Sequence, residues 1–294
     1  MRFEPTRIGN ELLAALAQAR PDDGVRIWPL GQSGILAQFN KATVLIDPYL
    51  SNHCEAVLHR PFDHRRMTRA PLDPSELTDI DVLICTHDHL DHLDPPTVRT
   101  LRDASPTCVL VLPRAATKTA DDLDWPQDRV YGTKSGDAIH LAGLVITAFA
   151  VPHDDFDYDP GTDYPYQGYV ISDGSISIGH VGDARSHPAV VTALYSLQPD
   201  VLCLPINGRD ASRAAMGFAG NMNGSEAAEL AHTVGEKHVI PMHFDMFAQN
   251  VDVDALDGFV RAAQQWPDMT VHAPVVGESI DIFGGAITDN LGAK

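Results

Sequence analysis

The chain has 294 residues, 44% hydrophobic and 21% charged, a composition of ordinary globular proteins with a sizeable core. Its 21 basic and 40 acidic residues leave a net charge of −19, which argues against nucleic acid as a partner because phosphate backbones are bound through Lys and Arg. No run of about 18 apolar residues occurs, so no membrane-spanning helix and no membrane partner are expected.

The opening MRFEPTRIGNELLAALAQARP has apolar residues at helical spacing, interrupted by Glu11 and Gln18. It reads as a surface helix without the apolar core of an export signal, which gives a cytoplasmic expectation. Short β-like runs follow at 25–30, 34–39, 42–47, 81–86 and 107–112, and again at 144–151, 168–172, 175–180, 201–205 and 238–242. Several are almost continuously apolar over four to eight residues, as in strands covered on both faces. The Asp-Gly in SDGS, 172–175, predicts a hairpin. Helices are predicted after Asp73-Pro74 and Asp94-Pro95, each an N-cap followed by proline at the first helical position, and over 187–197, 225–235 and 252–266. This order predicts a layered α/β fold with helices outside packed sheets, in a single domain over residues 1–294. Long loops are expected at 50–72 and 153–167, and loops of that length are often functional. The four cysteines show no CxxC spacing; Cys85, Cys108 and Cys203 sit in apolar runs and read as reduced core residues.

The segment ICTHDHLDHLDP, 84–95, places three histidines and three aspartates within eight positions, directly after an apolar run. Imidazole and carboxylate are the usual ligands of zinc and related metals. Burying so many such groups without partners would be costly, and a metal removes the cost by accepting their lone pairs. Further candidates stand at the ends of later strands: His153, Asp183 and His243. Together with His87, His89, Asp91 and His92 they supply enough ligands for two metal ions with positions left open for water and substrate.

THDHLDH, then His153, the Gly-Asp at 182–183 and His243, in that order, resemble the metallo-β-lactamase superfamily over roughly residues 25–250. The resemblance implies a four-layer αβ/βα sandwich with two divalent transition metals at one edge of the sheets. Zinc is expected; manganese or iron bind similar sites. It further implies that His87, His89 and His153 hold one metal, that Asp91, His92 and His243 hold the other, and that Asp183 bridges both. His89 stands where flavodiiron relatives carry glutamate. IDPYLS, THDHLDHLDP, LPINGR and VIPMHFDMF resemble segments of the L-ascorbate-6-phosphate lactonase-like branch. The implied activity is opening of a lactone or other ester by a hydroxide bridging the metals, with Asp91 as the catalytic proton relay. A two-metal phosphodiesterase is the alternative, and a non-catalytic metal or ligand sensor is an alternative of another class.

Beyond the ligands, Asp88 is a candidate partner for a ligand imidazole, and Asp94 reads as a helix cap. His180 reads equally as support for the metals or as a buried, hydrogen-bonded strand histidine. Asn207 and Arg209, leaving a strand end, are candidates for binding an anionic or carbonyl oxygen of a small-molecule substrate. Tyr49, Phe156, Tyr164 and Tyr166 are candidate pocket residues. Arg60, Arg65, Arg66 and Arg69 read as a solvated basic run, with a subunit contact or an anion funnel as the other readings, so homo-oligomerisation stays open. His64 shows no ligand pattern.

Overall fold

A computed structural model describes residues 4–58, 62–153, 155–252 and 254–283; Arg60 of the basic run lies outside them. β1 (Gly24–Gly31), β2 (Gly34–Gln38), β3 (Thr43–Ile46), β4 (Val82–Ile84), β5 (Val109–Pro113) and β6 (Val130–Thr133) lie side by side in that order. The second sheet holds β7 (Ala138–Leu141), β8 (Leu144–Ala150), β9 (Gln167–Ser172), β10 (Ser177–His180), β11 (Val201–Pro205), β12 (His238–Met242) and β13 (Thr270–Val271). β14 (Ile280–Phe283) returns to the first sheet and pairs antiparallel with β1. Both sheets are mixed: β3 to β6 and β10 to β13 are parallel, and the remaining neighbours are antiparallel.

The apolar runs are continuous because both faces of each sheet are covered. Val44, Ile46, Val82 and Ile84 point into the core shared with the second sheet. Their neighbours Leu45, Leu83 and Cys85 point outward under α1 (Asn10–Leu16), α3 (Pro95–Ala104) and α4 (Thr117–Asp122), against Leu12, Val98, Leu101 and Ala120. The second sheet is covered by α5 (Pro188–Leu197), α7 (Gly224–Val234) and α8 (Ala255–Ala263), which contribute Leu194, Leu230 and Phe259. Short helices α2 (His53–Val57) and α6 (Ala211–Ala215) sit in connections. The result is the expected four-layer sandwich.

The predicted hairpin forms, with Ser172 opposite Ser177. The capped segment after Asp73 closes its capping box but makes only a single 3-10 turn, Pro74–Glu76. Asp94 occupies the N-cap position of α3 without bonding its amides; its carboxylate accepts from Ser51 and Thr97 hydroxyls and so anchors the loop after β3. All four cysteines are buried and free. Among the described residues no helix is long and apolar enough to cross a membrane.

Candidate metal centre

The topology brings the chemistry to one edge. β8 and β10 both run antiparallel to β9, and β10, β11 and β12 are parallel, so β8, β10, β11 and β12 all end at the same side of the second sheet. The loop after β8 carries His153, the loop after β10 carries Asp183, and His243 directly follows β12. In the first sheet β3 and β4 are parallel and end at Asp47 and at the segment Thr86–His92. Backbone bonds join the two edges: the amide of His243 donates to the carbonyl of Gln32 (2.8 Å), and that of Gln167 to Thr86 (3.1 Å).

Two groups of ligand atoms result. His87, His89, His153 and Asp183 form one, and Asp91, His92 and His243 the other; within each, one ligand atom from every residue lies within 4.8 Å of the rest. Asp183 lies between them. Its Oδ2 is 3.6 Å from His153 Nε2, while its Oδ1 is 3.2 Å from both His92 Nε2 and His243 Nε2. Six of the seven residues are at least partly buried, and His89 is exposed.

The donor set fits metal ions. His87 Nε2, His92 Nε2 and Asp183 Oδ1 are buried atoms without a hydrogen-bond partner. Unpaired buried polar atoms are rare because each carries its full desolvation cost. Their opposite ring atoms are held: His92 Nδ1 donates to Asp47 Oδ2 at 2.7 Å, and His87 Nδ1 lies 3.0 Å from Thr86 Oγ1, which in turn donates to Asp47 at 2.7 Å. Holding one nitrogen through a hydrogen bond leaves the other free for a metal, the usual arrangement of ligand histidines.

Electrostatics separate the two groups. Burial, reinforced by neighbouring imidazoles, pushes His87 well below the ordinary histidine range. Burial takes His153 down to about 4 against the pull of Asp183. Burial opposes charge on His243 too, but Asp183 and Asp91 outweigh it and hold this imidazole at about 9. Burial of His92 is likewise outweighed, by Asp183, Asp47 and Asp91.

Several supports were not visible in the sequence. Asp47, with its backbone at φ 46°, accepts from the Thr86 amide and hydroxyl and from His92. Gln32, between β1 and β2, donates through Nε2 to Asp91 Oδ2 (2.7 Å) and lies 3.1 Å from His243 Nε2. For Gln32 the only available signal was its position at the end of an apolar run, whereas Asp47 also lies in IDPYLS, one of the segments singled out by resemblance. His180 proves to be the buried, hydrogen-bonded strand histidine: it donates through Nε2 to Ser33 O and accepts the Gly182 amide at Nδ1, tying the β1–β2 turn to the loop that carries Asp183. Asp88 is exposed on the wall of the cleft, and the ring nitrogens are supported by Thr86 and Asp47 in its place.

A cleft of about 520 Å³ opens over the two groups, with His89, Asp91, His153, Asp183 and His243 in its lining. Tyr166 lines it and packs 5.1–5.7 Å from the rings of His87, His89 and His153. The other three predicted aromatics do not: Tyr49 is fully buried, and Phe156 and Tyr164 pack on each other. Asn207 and Arg209 are also not brought to the cleft wall. Arg209 makes a two-point pair with Glu226 (2.6 and 2.7 Å) and donates to Asn221 O, because the capping box of α7 places Glu226 beside it. Asn207 is buried and donates to Asn250, which does line the cleft. Of the basic run, Arg66 is mostly buried and donates to the carbonyls of Tyr49, Ser51 and Thr68, while Arg65 pairs with Asp63 at the surface.

Residues 42–244 match the family described as the β-lactamase superfamily domain. A UPF0173 metal-dependent hydrolase of Methanoregula boonei is 30% identical over 210 residues, 70% of this chain and 84% of that protein. One from Hyperthermus butylicus is 28% identical over 226 residues, 74% of this chain and 82% of that protein. Among solved structures, a possible metal-dependent hydrolase from Veillonella parvula superposes with a TM-score of 0.70 at 17% identity, covering 88% of this chain and all of that one. Igni18, a metallo hydrolase from Ignicoccus hospitalis, gives 0.66 at 19% identity, over 89% and 100% of the two chains. With the strand order and clustered His and Asp residues described above, these matches show that the chain belongs to the β-lactamase superfamily as a metal-dependent hydrolase of the metallo-β-lactamase fold.

Proposed function

We propose that the seven clustered residues hold two divalent transition-metal ions, zinc first among them, and that the centre opens a lactone or another ester. His87, His89 and His153 take one ion, Asp91, His92 and His243 the other, and Asp183 both. The observation that carries this reading is the division of Asp183, one oxygen toward His153 and the other toward His92 and His243. When bound, such ions polarise the scissile group and supply a hydrolytic nucleophile at neutral pH.

The chain's own part is positioning and proton handling. Asp47 and Thr86 fix the imidazoles of His92 and His87. Asp91 lines the cleft and is held by Gln32, which supports reading its carboxylate as the group that passes a proton to a leaving oxygen. Within the superfamily, IDPYLS, which contains Asp47, and LPINGR and VIPMHFDMF, which leave β11 and β12, support membership of the L-ascorbate-6-phosphate lactonase-like branch.

The test is a panel of lactones and carboxylic esters beside bis-p-nitrophenyl phosphate, run on wild type and Asp91→Asn at matched metal content. Asparagine keeps size and an oxygen ligand but cannot carry the proton. The expected result is turnover of lactones or esters that falls at least a hundredfold in the variant, in line with the usual contribution of general acid–base catalysis. Turnover of the phosphodiester alone would replace the ester reading, and a fully loaded Asp91→Asn with normal turnover would remove Asp91 from the proton path.

A further inference from the structure

Resting on the hydrolytic reading of the centre, we propose that the cleft selects an uncharged substrate with an apolar tail, received by a wall of Leu58, Phe62, Leu90, Phe218 and Phe247. All five line the same cleft as His89, Asp91 and Asp183. Phe62 is the hub: its ring lies 3.9 Å from that of Phe218 and 6.4 Å from that of Phe247. Tyr49, Cys54 and Met246 pack behind it in a small core separate from the two large ones, with Leu90 and Phe218 against its edge. Leu90 stands between His89 and Asp91 in the chain, so the apolar wall is continuous with the metal ligands.

Charge points the same way. Among the described residues lining the cleft none is Lys or Arg, whereas four are aspartates: Asp88, Asp91, Asp157 and Asp183. Four carboxylates balance two divalent cations, so the loaded cleft has no surplus positive charge for a phosphate or carboxylate. Of the described guanidinium groups that the sequence offered for that purpose, Arg209 is engaged by Glu226, Arg66 by backbone carbonyls and Arg65 by Asp63, and Arg69 does not line the cleft. The wall therefore offers apolar contact and no cation, and recognition by apolar contact grows with the area buried.

The test uses the metal-loaded full chain and neutral γ-lactones of four to ten carbons, with a phosphorylated six-carbon sugar lactone as the anionic comparison. kcat/KM is expected to rise roughly two- to fourfold per added methylene, and the anionic lactone to fall below the neutral six-carbon one. Phe218→Ala should flatten the dependence on tail length and Phe218→Leu restore part of it. Leu58→Ala, at a position 38% exposed, gives the same reading should Phe218→Ala fail to fold. Calorimetric titration of the four- and ten-carbon lactones into chelator-treated protein reads the wall without turnover. If no lactone is hydrolysed but the longer one binds more tightly, and less so in Phe218→Ala, the wall stands and the ester reading falls. Equal binding of both lactones, a rate flat in tail length, or preference for the phosphorylated lactone would overturn the proposal.

Discussion

Asp47 accepts three hydrogen bonds at the back of the centre, from the Thr86 amide (2.8 Å), the Thr86 hydroxyl (2.7 Å) and His92 Nδ1 (2.7 Å). It thereby orients two imidazoles without being among the clustered ligands. Removing such a partner generally costs ten- to a hundredfold in metal affinity. Asp47→Ala should therefore weaken metal binding by that factor in a competitive chelator titration while leaving the fold assembled; unchanged affinity would assign Asp47 to loop structure alone. Gly182 is the second residue whose identity is dictated by the site. Its backbone lies at φ 62°, and a Cβ there would come within 2.7 Å of Thr86 Oγ1. Gly182→Ala should lose about 1–2 kcal/mol to the left-handed backbone alone. It should also push Thr86 off His87, so that metal affinity falls together with the denaturation midpoint. A loss of stability with metal affinity intact would separate the two effects.

At the scale of elements, the site exists because parallel strands deliver their carboxyl ends to one edge, where side chains can converge. The fully covered strands were legible in the sequence, since Val82-Leu83-Ile84 and Val201 to Pro205 are apolar on both faces. β6, β7 and β14 were not, because Val-Tyr-Gly-Thr, Ala-Ile-His-Leu and Ile-Asp-Ile-Phe are short, half-exposed runs at or near sheet edges, and β13 is only two residues long. The clustered His and Asp residues were legible because HxHxDH is dense in one segment. The supports were not, because Asp47 and Gln32 reach the centre only through the pairing of β1, β2 and β3. The anion-binding role of Arg209 was read from its place after a strand, and its true neighbour, Glu226, comes from a helix seventeen residues away.

Glu236, at the junction of α7 and β12, gives an element-scale test in pH. Its carboxylate accepts the amides of Lys237 and His238, yet burial outweighs them and raises its pKa from 4.5 to about 7. The folded chain holds this proton more tightly than the unfolded one. The resulting stability is fully present below about 4.5 and is lost as pH rises through about 7. Glu236→Gln keeps the accepting oxygen and removes the charge. It should match wild type near pH 4.5 and exceed it at pH 8 by up to about 3 kcal/mol, at 1.36 kcal/mol per unit. Denaturant melts of equal midpoint at both values would show that Glu236 is solvated.

For the whole molecule, the centre is a clasp between two sheets: His87, His89, Asp91 and His92 follow β4 of one, while His153, Asp183 and His243 follow β8, β10 and β12 of the other. Metal that binds the folded chain stabilises it by about 2.7 kcal/mol at a hundredfold excess over its dissociation constant. Chelation should then lower Tm by roughly 5–10 °C for a chain of this size, and readdition of metal should restore it. A Tm indifferent to chelator would mean that the sheets hold together without the clasp. Metal stoichiometry is the sharpest test of a dinuclear centre shared through Asp183. Elemental analysis of protein purified without chelator should find close to two transition-metal ions per chain, and one ion or none per chain would contradict it.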